Sequence, residues 1–261
     1  MYSILVKNIH IINAPLVSII TIVYNCKDTI EATILSTINQ TYENIEYIII
    51  DGGSTDGTVE ILNKYKHCFS YWVSEKDKGI SDAFNKGIIH ANGHILMLNA
   101  GDIFINNNII EKISIFLKQP IVAFEVISNS SRKVGKAHYI PKNNLNLSRI
   151  PHQGAFVHKS IYMKYGLYSI GFKIRMDYEF FARTVQYINP LLIHETIAIF
   201  DNSGISSSIK YKVKFEIEGL IIEYLYFRKS ILKVVYIPIY KFIKTIVGLI
   251  LRKIKFRKWG D

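Results

Sequence analysis

Val17–Asp28, VSIITIVYNCKD, decides the fold, together with two later stretches on the same plan: Ile45–Gly57, IEYIIIDGGSTDG, and His94–Asp102, HILMLNAGD. In each, an apolar run stops at a polar, turn-forming cluster. Short runs rich in Ile and Val, with helical patterns between them, read as buried strands of a largely parallel sheet. In such sheets ligands sit outside the carboxyl ends of the strands, where these clusters converge. Acid-bearing strand ends on one rim describe a site for a phosphate-bearing ligand with a metal.

Working outward, Asp28 is placed to cap a helix running to about Gln40, with Ile30, Ile34, Leu35 and Ile38 on one face. Asp56 or Thr55 caps a second helix bearing Val59, Ile61, Leu62 and Tyr65. Phe69–Val73 reads as a strand, and Ser81-Asp82 opens a helix to about Ala91 that Asn92-Gly93 closes. The strand His94–Leu98 follows. Strand–helix–strand repeated in this way is a doubly wound α/β pattern. Beyond it come a helix near Asn107–Lys118, a strand at Ile121–Ile127 and a polar stretch, Ser128–Pro151, placed as a loop over the site. Gly154–Val157 is expected as a strand, Lys159–Tyr165 as a short helix ended by Gly166, Asp177–Tyr187 as a helix and Leu191–Phe200 as a closing strand.

The 261 residues suffice for one α/β core with a small addition. Cys26 and Cys68 have no CxxC partner and no His cluster at metal spacing, which reads as reduced thiols. No signal peptide is evident, since Lys7, Asn8 and His10 interrupt Met1–Ala14; the catalytic part is expected on the cytoplasmic side. The charge is uneven: of the net +11, a surplus of nine lies from Ile209 onward.

Each motif carries a chemical and a structural reading. Asp51 at a strand end offers a carboxylate to a ring or ribose, and Gly52, Gly53 and Gly57 permit close backbone approach; the alternative is a tight turn with Asp56 as a helix cap. Asp102 supplies a hard oxygen to a divalent cation bridging two phosphates, which would neutralise a diphosphate leaving group. Strands ending in Gly-Asp are common, so this motif alone is weakly specific.

Together, VSIITIVYN with Asp28, IIIDGGSTDGT, SEKDKGISDAFNKGI, GHILMLNAGD, PHQGAFVHKS and MDYEFFAR resemble the inverting family 2 glycosyltransferases of the GT-A fold, above all bacterial members that build surface polysaccharides. The resemblance covers about residues 16–200 in order and spacing. It implies a Rossmann-like mixed sheet flanked by helices, and a nucleotide-diphosphosugar donor, most often a UDP-sugar carrying a hexose or N-acetylhexosamine. By position Thr21 and Tyr24 would line the nucleobase pocket, Asp51 would hold the base or ribose, and Asp77, Lys78 and Asp82 would lie beside nucleotide and sugar. Asp102 would be the ligand to Mg2+ or Mn2+ in the family's DxD element. Asn99 stands where the first acid of that element would be, and offers a carbonyl without charge.

On the acceptor side, an inverting transfer needs a carboxylate to take the acceptor hydroxyl proton. Asp177, matching the family's acid at a helix start, is the candidate base; without the match it reads as a helix N-cap. Arg183 either orients a carboxylate or phosphate or makes a surface ion pair. His152, of a recurrent His-Gln pair, either touches phosphate or acceptor or is a hydrogen-bonded structural histidine.

The organisation expected is a GT-A catalytic domain over 1–208, with a nucleotide-binding half at about 16–127 and an acceptor half at about 128–208, then a basic amphipathic helical tail over 209–261. Within the tail, Ile231–Leu251 carries Lys233, Lys241, Lys244 and Pro238, unsuited to the about 20 largely uncharged residues of a spanning helix. Residues 231–258 instead suit a helix in the headgroup region of the inner membrane face, or one packed on protein. That placement fits a glycan or polyprenyl-diphosphate-linked acceptor. No nucleic-acid motif accompanies the charge, and an oligomer is compatible with the sequence. Against the enzyme stands a degenerate nucleotide-sugar-binding scaffold of an assembly complex, motivated by Asn99; a nucleotidyltransferase lacks a basic Gly-rich phosphate loop after the first strand.

Overall fold

A computed structural model of the chain describes residues 14–130, 134–135, 150–201 and 211–227. The first half is built from β1 (Val17–Val23), α1 (Ile30–Ile38), β2 (Ile45–Asp51), α2 (Thr58–Tyr65), β3 (Tyr71–Ser74), α3 (Ile80–His90) and β4 (His94–Met97). The second half adds β5 (Ile103–Phe104), α4 (Ile109–Ile113), β6 (Ile121–Ser128), β7 (Val134–Gly135), β8 (Ala155–His158), α5 (Lys159–Tyr165), α6 (Met176–Thr184), β9 (Leu191–Phe200) and α7 (Lys212–Phe227).

The strands form one sheet in the order β3-β2-β1-β4-β8-β6-β9-β5, with β7 on β6. The four strands of the first half are parallel, with Ile20 of β1 opposite Ile48 of β2 and Met97 of β4. From β8 onward the sheet is mixed, because β8 runs antiparallel to both β4 and β6. Both faces of β1 are covered. Ile19 and Val23 face a layer with Ile30 and Ile34 of α1, while Ile20 faces Phe84 and Ile88 of α3 and, further along, Tyr162 and Phe180. A strand buried on both sides needs apolar residues at successive positions, which is why VSIITIV does not alternate. Gly87 lets α3 close on β1, since a Cβ there would lie 2.5 Å from Ile20 Cγ2.

Local expectations are corrected at several points. Asp28 is exposed and does not cap α1; the helix starts at Ile30 after Thr29, and the Cys26 carbonyl accepts the N–H groups of Thr29 and Ile30. Thr33 and Thr37, not Leu35, share the buried face with Ile30 and Ile34. Asp56 does satisfy the start of α2, accepting from Thr58 N and Oγ1, although Gly57 is the boundary residue. Phe69 lies before β3, its ring edge-on to Tyr47 at 5.4 Å. The helix near 107–118 is one short α-helix continued as a 3-10 turn at Ser114–Phe116. Ser128 ends β6, and most of the polar stretch after it lies outside the described residues, as does 231–258.

Candidate active site

The loops after β1 and β2 are zipped together at the rim. Asn25, at φ 50°, donates its N–H to Ser54 Oγ at 2.8 Å, and its Oδ1 accepts from Thr55 N at 2.9 Å. Asp51 lies beneath them, fully buried. Its Oδ2 accepts from Gly53 N, Ser54 N and Ser74 Oγ at 3.1, 3.0 and 2.6 Å, and its Oδ1 from Ser54 Oγ. The carboxylate therefore shapes the turn after β2.

Tyr24 projects from the end of β1 with 62% of its surface exposed. It lies against Gly52, where an added Cβ would stand 3.4 Å from Tyr24 Cδ2 and 2.9 Å from Asp77 Oδ2. The bare backbone at Gly52 thus keeps a gap open between an aromatic ring and a carboxylate. Lys86 of α3 reaches Glu75 and Asp77, each at 2.7 Å, and Asp82 at 3.6 Å. Burial raises the Asp77 carboxyl above its ordinary range against the pull of Lys86, whereas the Lys78 backbone N–H leads the groups that lower Asp82. Lys78 is exposed beside them.

At the end of β4 the Asn99–Asp102 turn is fixed from several sides. Gly101 takes φ 98° and donates to Thr33 Oγ1 at 2.9 Å, and Ala100 donates to the Ile22 carbonyl of β1 at 3.2 Å. Asp102 is buried, its Oδ2 accepting from Asn99 N at 3.1 Å and its Oδ1 from Asp201 N at 2.9 Å. Burial pushes its carboxyl up to about 6, against those N–H groups and the nearby His152.

The turn is joined directly to α6. Asn99 Nδ2 lies 3.2 Å from His152 Nε2, and His152 Nδ1 lies 3.1 Å from Asp177 Oδ2. Asp177 Oδ1 accepts from Tyr178 N at 2.8 Å. With Nδ1–H donating to the carboxylate, Nε2 of the neutral ring accepts from the Asn99 amide N–H, while the charged ring presents Nε2–H and calls for the amide oxygen instead. Burial works against charge on both partners, but each supports the other's charged form. Asp177 ends below and His152 above its ordinary value. Asn99 Oδ1 is left without a partner, alone in this among buried side-chain atoms of the described residues.

The sequence model of Glycosyl transferase family 2 matches residues 18–182. The chain belongs to that family. An uncharacterised glycosyltransferase of Mycobacterium tuberculosis is 34% identical over 205 residues, 75% of this chain and 78% of the relative. An Escherichia coli protein named as a UDP-Glc:alpha-D-GlcNAc-diphosphoundecaprenol beta-1,3-glucosyltransferase is 43% identical over 100 residues, 38% of this chain and 40% of that protein. Among solved structures, Staphylococcus aureus TarS with UDP-GlcNAc has TM-score 0.65 at 15% identity, covering 81% of this chain and 67% of TarS. A Pyrobaculum calidifontis mannosyltransferase solved with GDP-Man and Mn2+ has TM-score 0.62 at 15% identity, over 83% of this chain and 65% of the other. The fold is the GT-A fold of these glycosyltransferases.

In this family 2 chain the expected residues fall into three groups. Tyr24, Asp77, Lys78 and Asp82 lie around the open end of β1 to β3, and Asn99, Asp102, His152 and Asp177 form one connected cluster. Asp51 shares the rim, but its carboxylate is enclosed. Two expectations give way. Thr21 is fully buried on the α1 side of the sheet, its Oγ1 donating to the Leu98 carbonyl at 2.6 Å and lying 3.1 Å from Tyr47 Oη, so it braces the core and lines no nucleobase pocket. Arg183 is engaged by groups outside the cluster. Its guanidinium pairs with buried Glu179 through Nε–Oε1 at 3.0 Å and Nη2–Oε2 at 3.1 Å, and donates to the carbonyls of Tyr165, Gly166 and Leu167. It fastens α6 to the end of α5.

Sequence reasoning missed Lys86, although its spacing four residues after Asp82 on a helix was a readable signal. It also missed Asp201, whose backbone N–H donates to Asp102 Oδ1 and whose carboxylate lies against Gly101 and adds to the rise of the Asp102 carboxyl. For a divalent cation, no group of three or more His, Cys, Asp or Glu at metal-holding spacing occurs among the described residues. Asp102 with the unpartnered Asn99 Oδ1 fits the other arrangement, in which one carboxylate and substrate phosphates complete the shell.

Proposed function

We propose that this family 2 glycosyltransferase moves a hexose or N-acetylhexosamine, with inversion, from a UDP-sugar to a glycan or polyprenyl-diphosphate-linked acceptor in cell-surface polysaccharide synthesis. The observation that carries the proposal is the Asn99–His152–Asp177 chain of contacts, which sets an acid from the second half of the sequence beside the turn holding Asp102. The UDP-GlcNAc bound to TarS and the donor and acceptor in the name of the E. coli relative support the choice of substrates.

In this reading the uracil and ribose lie across the Tyr24–Gly52 surface, next to Asp77, Lys78 and Asp82, above the turn that Asp51 shapes. Asp102 and Asn99 would hold Mg2+ or Mn2+, whose positive charge would offset that of the diphosphate. Asp177 accepts the acceptor hydroxyl proton as that oxygen bonds to the anomeric carbon from the face opposite the diphosphate. The bond from the anomeric carbon to phosphate oxygen breaks, and UDP leaves with the electron pair. His152 keeps Asp177 ionised and aimed. The reaction takes place at the inner face of the cell membrane, to which the basic segment 231–258 attaches the enzyme from the cytoplasm.

The test is release of UDP from UDP-glucose and UDP-GlcNAc by purified protein with a lipid-diphosphate-linked sugar acceptor. Asp177→Asn is expected to lower turnover 10²–10⁴-fold, in the range of general base catalysis, with UDP affinity unchanged. Full turnover in that variant removes the base assignment. Asn99 in place of an acid favours one rival, a nucleotide-sugar-binding scaffold, which UDP release by the wild type would exclude.

A further inference from the structure

We infer that the outer face of α7 is a docking surface for an anionic lipid bilayer, and that it sets the base-bearing turn against that surface. The inference deepens the proposed function, and rests on it for the acceptor being lipid-linked.

The two faces of α7 differ. Val213, Ile217, Ile221, Tyr224 and Leu225 are 69%, 49%, 42%, 45% and 54% exposed. Steps of three and four residues along a helix put these side chains on one stripe. Exposed Glu216, half-exposed Glu223 and exposed Lys212 border it on one side, and exposed Lys214 lies within it, about two turns before Ile221. Glu218, Gly219 and Ile222 are buried on the opposite face.

That opposite face grips the turn preceding Asp177. Glu218, 4% exposed, accepts the N–H groups of Lys173, Ile174 and Arg175 at 2.8, 2.9 and 2.8 Å. The Arg175 guanidinium lies between two rings, 4.3 Å from Tyr178 and 4.4 Å from Phe215 of α7. Gly219 makes room for it, since any Cβ there would strike Arg175 Nη1. Met176 and Asp177 follow directly. A surface bound by α7 is therefore held at a fixed place relative to the candidate base.

Charge identifies the occupant. Residues 228–261, which follow α7 without a break, contain ten Lys or Arg and a single acid, Asp261. An apolar helical stripe continuous with strongly basic chain matches an anionic bilayer, where the apolar side chains enter the headgroup boundary and the cations meet the lipid phosphates. A second copy of the chain fits worse. Like-charged tails would meet, and one stripe on a 16-residue helix offers less than the roughly 800 Å2 per partner of a standard interface.

The experiment uses the full chain and vesicles of phosphatidylethanolamine with phosphatidylglycerol, against vesicles of phosphatidylcholine alone. Ile217→Asp combined with Ile221→Asp is expected to lower the partition coefficient onto anionic vesicles at least tenfold, with melting temperature and vesicle-free UDP-sugar hydrolysis unchanged. Anionic vesicles are expected to slow amide exchange across 212–227 at least threefold in the wild type, and phosphatidylcholine vesicles to leave it unaltered. Unchanged partitioning of the double variant, or no slowing of exchange, overturns the inference. So does a shift from dimer to monomer in the variant, or a lower melting temperature without vesicles, since the stripe would then be covered by protein. Failure of the wild type to release UDP would sink the proposed reaction and leave the vesicle result standing.

Discussion

His152 Nδ1 lies 3.1 Å from Asp177 Oδ2, joining a 3-10 turn before β8 to the first turn of α6 across 25 residues of sequence. The contact favours charge on both partners against their burial, so Asp177 stays ionised to lower pH than an isolated carboxyl in the same place. The linkage has opposite signs on the two sides. Stability due to the lowered Asp177 is lost as pH falls through its folded pKa, and that due to the raised His152 is lost as pH rises through its own. The pair stabilises the fold most in the window between them.

Replacing His152 is therefore expected to move the acid limb of kcat/KM upward. In His152→Gln the amide still donates to Asp177 but carries no charge, and in His152→Ala only the Tyr178 N–H and the Arg175 charge still oppose burial. The limb should rise in the order wild type, Gln, Ala, with UDP affinity within about twofold, as a group on the acceptor side requires. A pH profile that does not move would leave His152 a packing residue only.

Asp102 predicts a pH-dependent response to metal. Its carboxyl is raised from 3.8 to about 6 by burial, so the folded state holds a proton that the unfolded state has already released. The fold consequently loses on the order of 2–3 kcal/mol from this group as pH rises through that window. A cation on the carboxylate opposes the loss but must displace the proton below about pH 6. The rise in melting temperature given by UDP with Mn2+ over UDP alone should be larger at pH 7.5 than at pH 5, and absent in Asp102→Ala. An equal rise at both pH values would place the metal elsewhere.

Thr21→Val separates a packing role from a ligand role. Valine keeps the shape but removes the donor to the Leu98 carbonyl and a partner of Tyr47 Oη, both buried. Loss of the hydroxyl is expected to cost about 1–3 kcal/mol in urea unfolding, with UDP affinity unchanged in isothermal titration. Weaker UDP binding at unchanged stability would restore the nucleobase role expected from position in the motif.

The contrast between Thr21 and Tyr24 shows what a sequence conveys. Both belong to VSIITIVYN, and the run announces the strand because β1 is covered on both faces. It does not reveal where the rim begins. Thr21, two residues before the end of β1, faces the α1 layer, whereas Tyr24 lies just past the last ladder position, Val23. β9 and α5 were legible to the residue, one as an apolar run and the other through Gly166 at its end. β5 was not, because two residues carry no period and, among the described residues, Ile103 and Phe104 pair with distant β9 alone. In the site the acids could be named individually, but the link from Asn99 through His152 to Asp177 joins three separate motifs and exists only once the sheet brings β4 beside β8.

Arg183 supplies the last test. A positively charged residue six positions after the candidate base invites a phosphate, yet its guanidinium is occupied by the Glu179 carboxylate and by backbone carbonyls at 165–167. The Glu179 side chain is only 3% exposed, so removing its cation strands a buried carboxylate beside Tyr226 Oη. Losing one partner of such a pair costs about 3–5 kcal/mol. Arg183→Met, which keeps the apolar stem, should therefore lower the urea midpoint strongly. Under conditions where the variant stays folded, its UDP affinity should match the wild type. The reverse outcome, intact stability with weakened UDP binding, would return Arg183 to the ligand site and require the α5–α6 junction to be held by other groups.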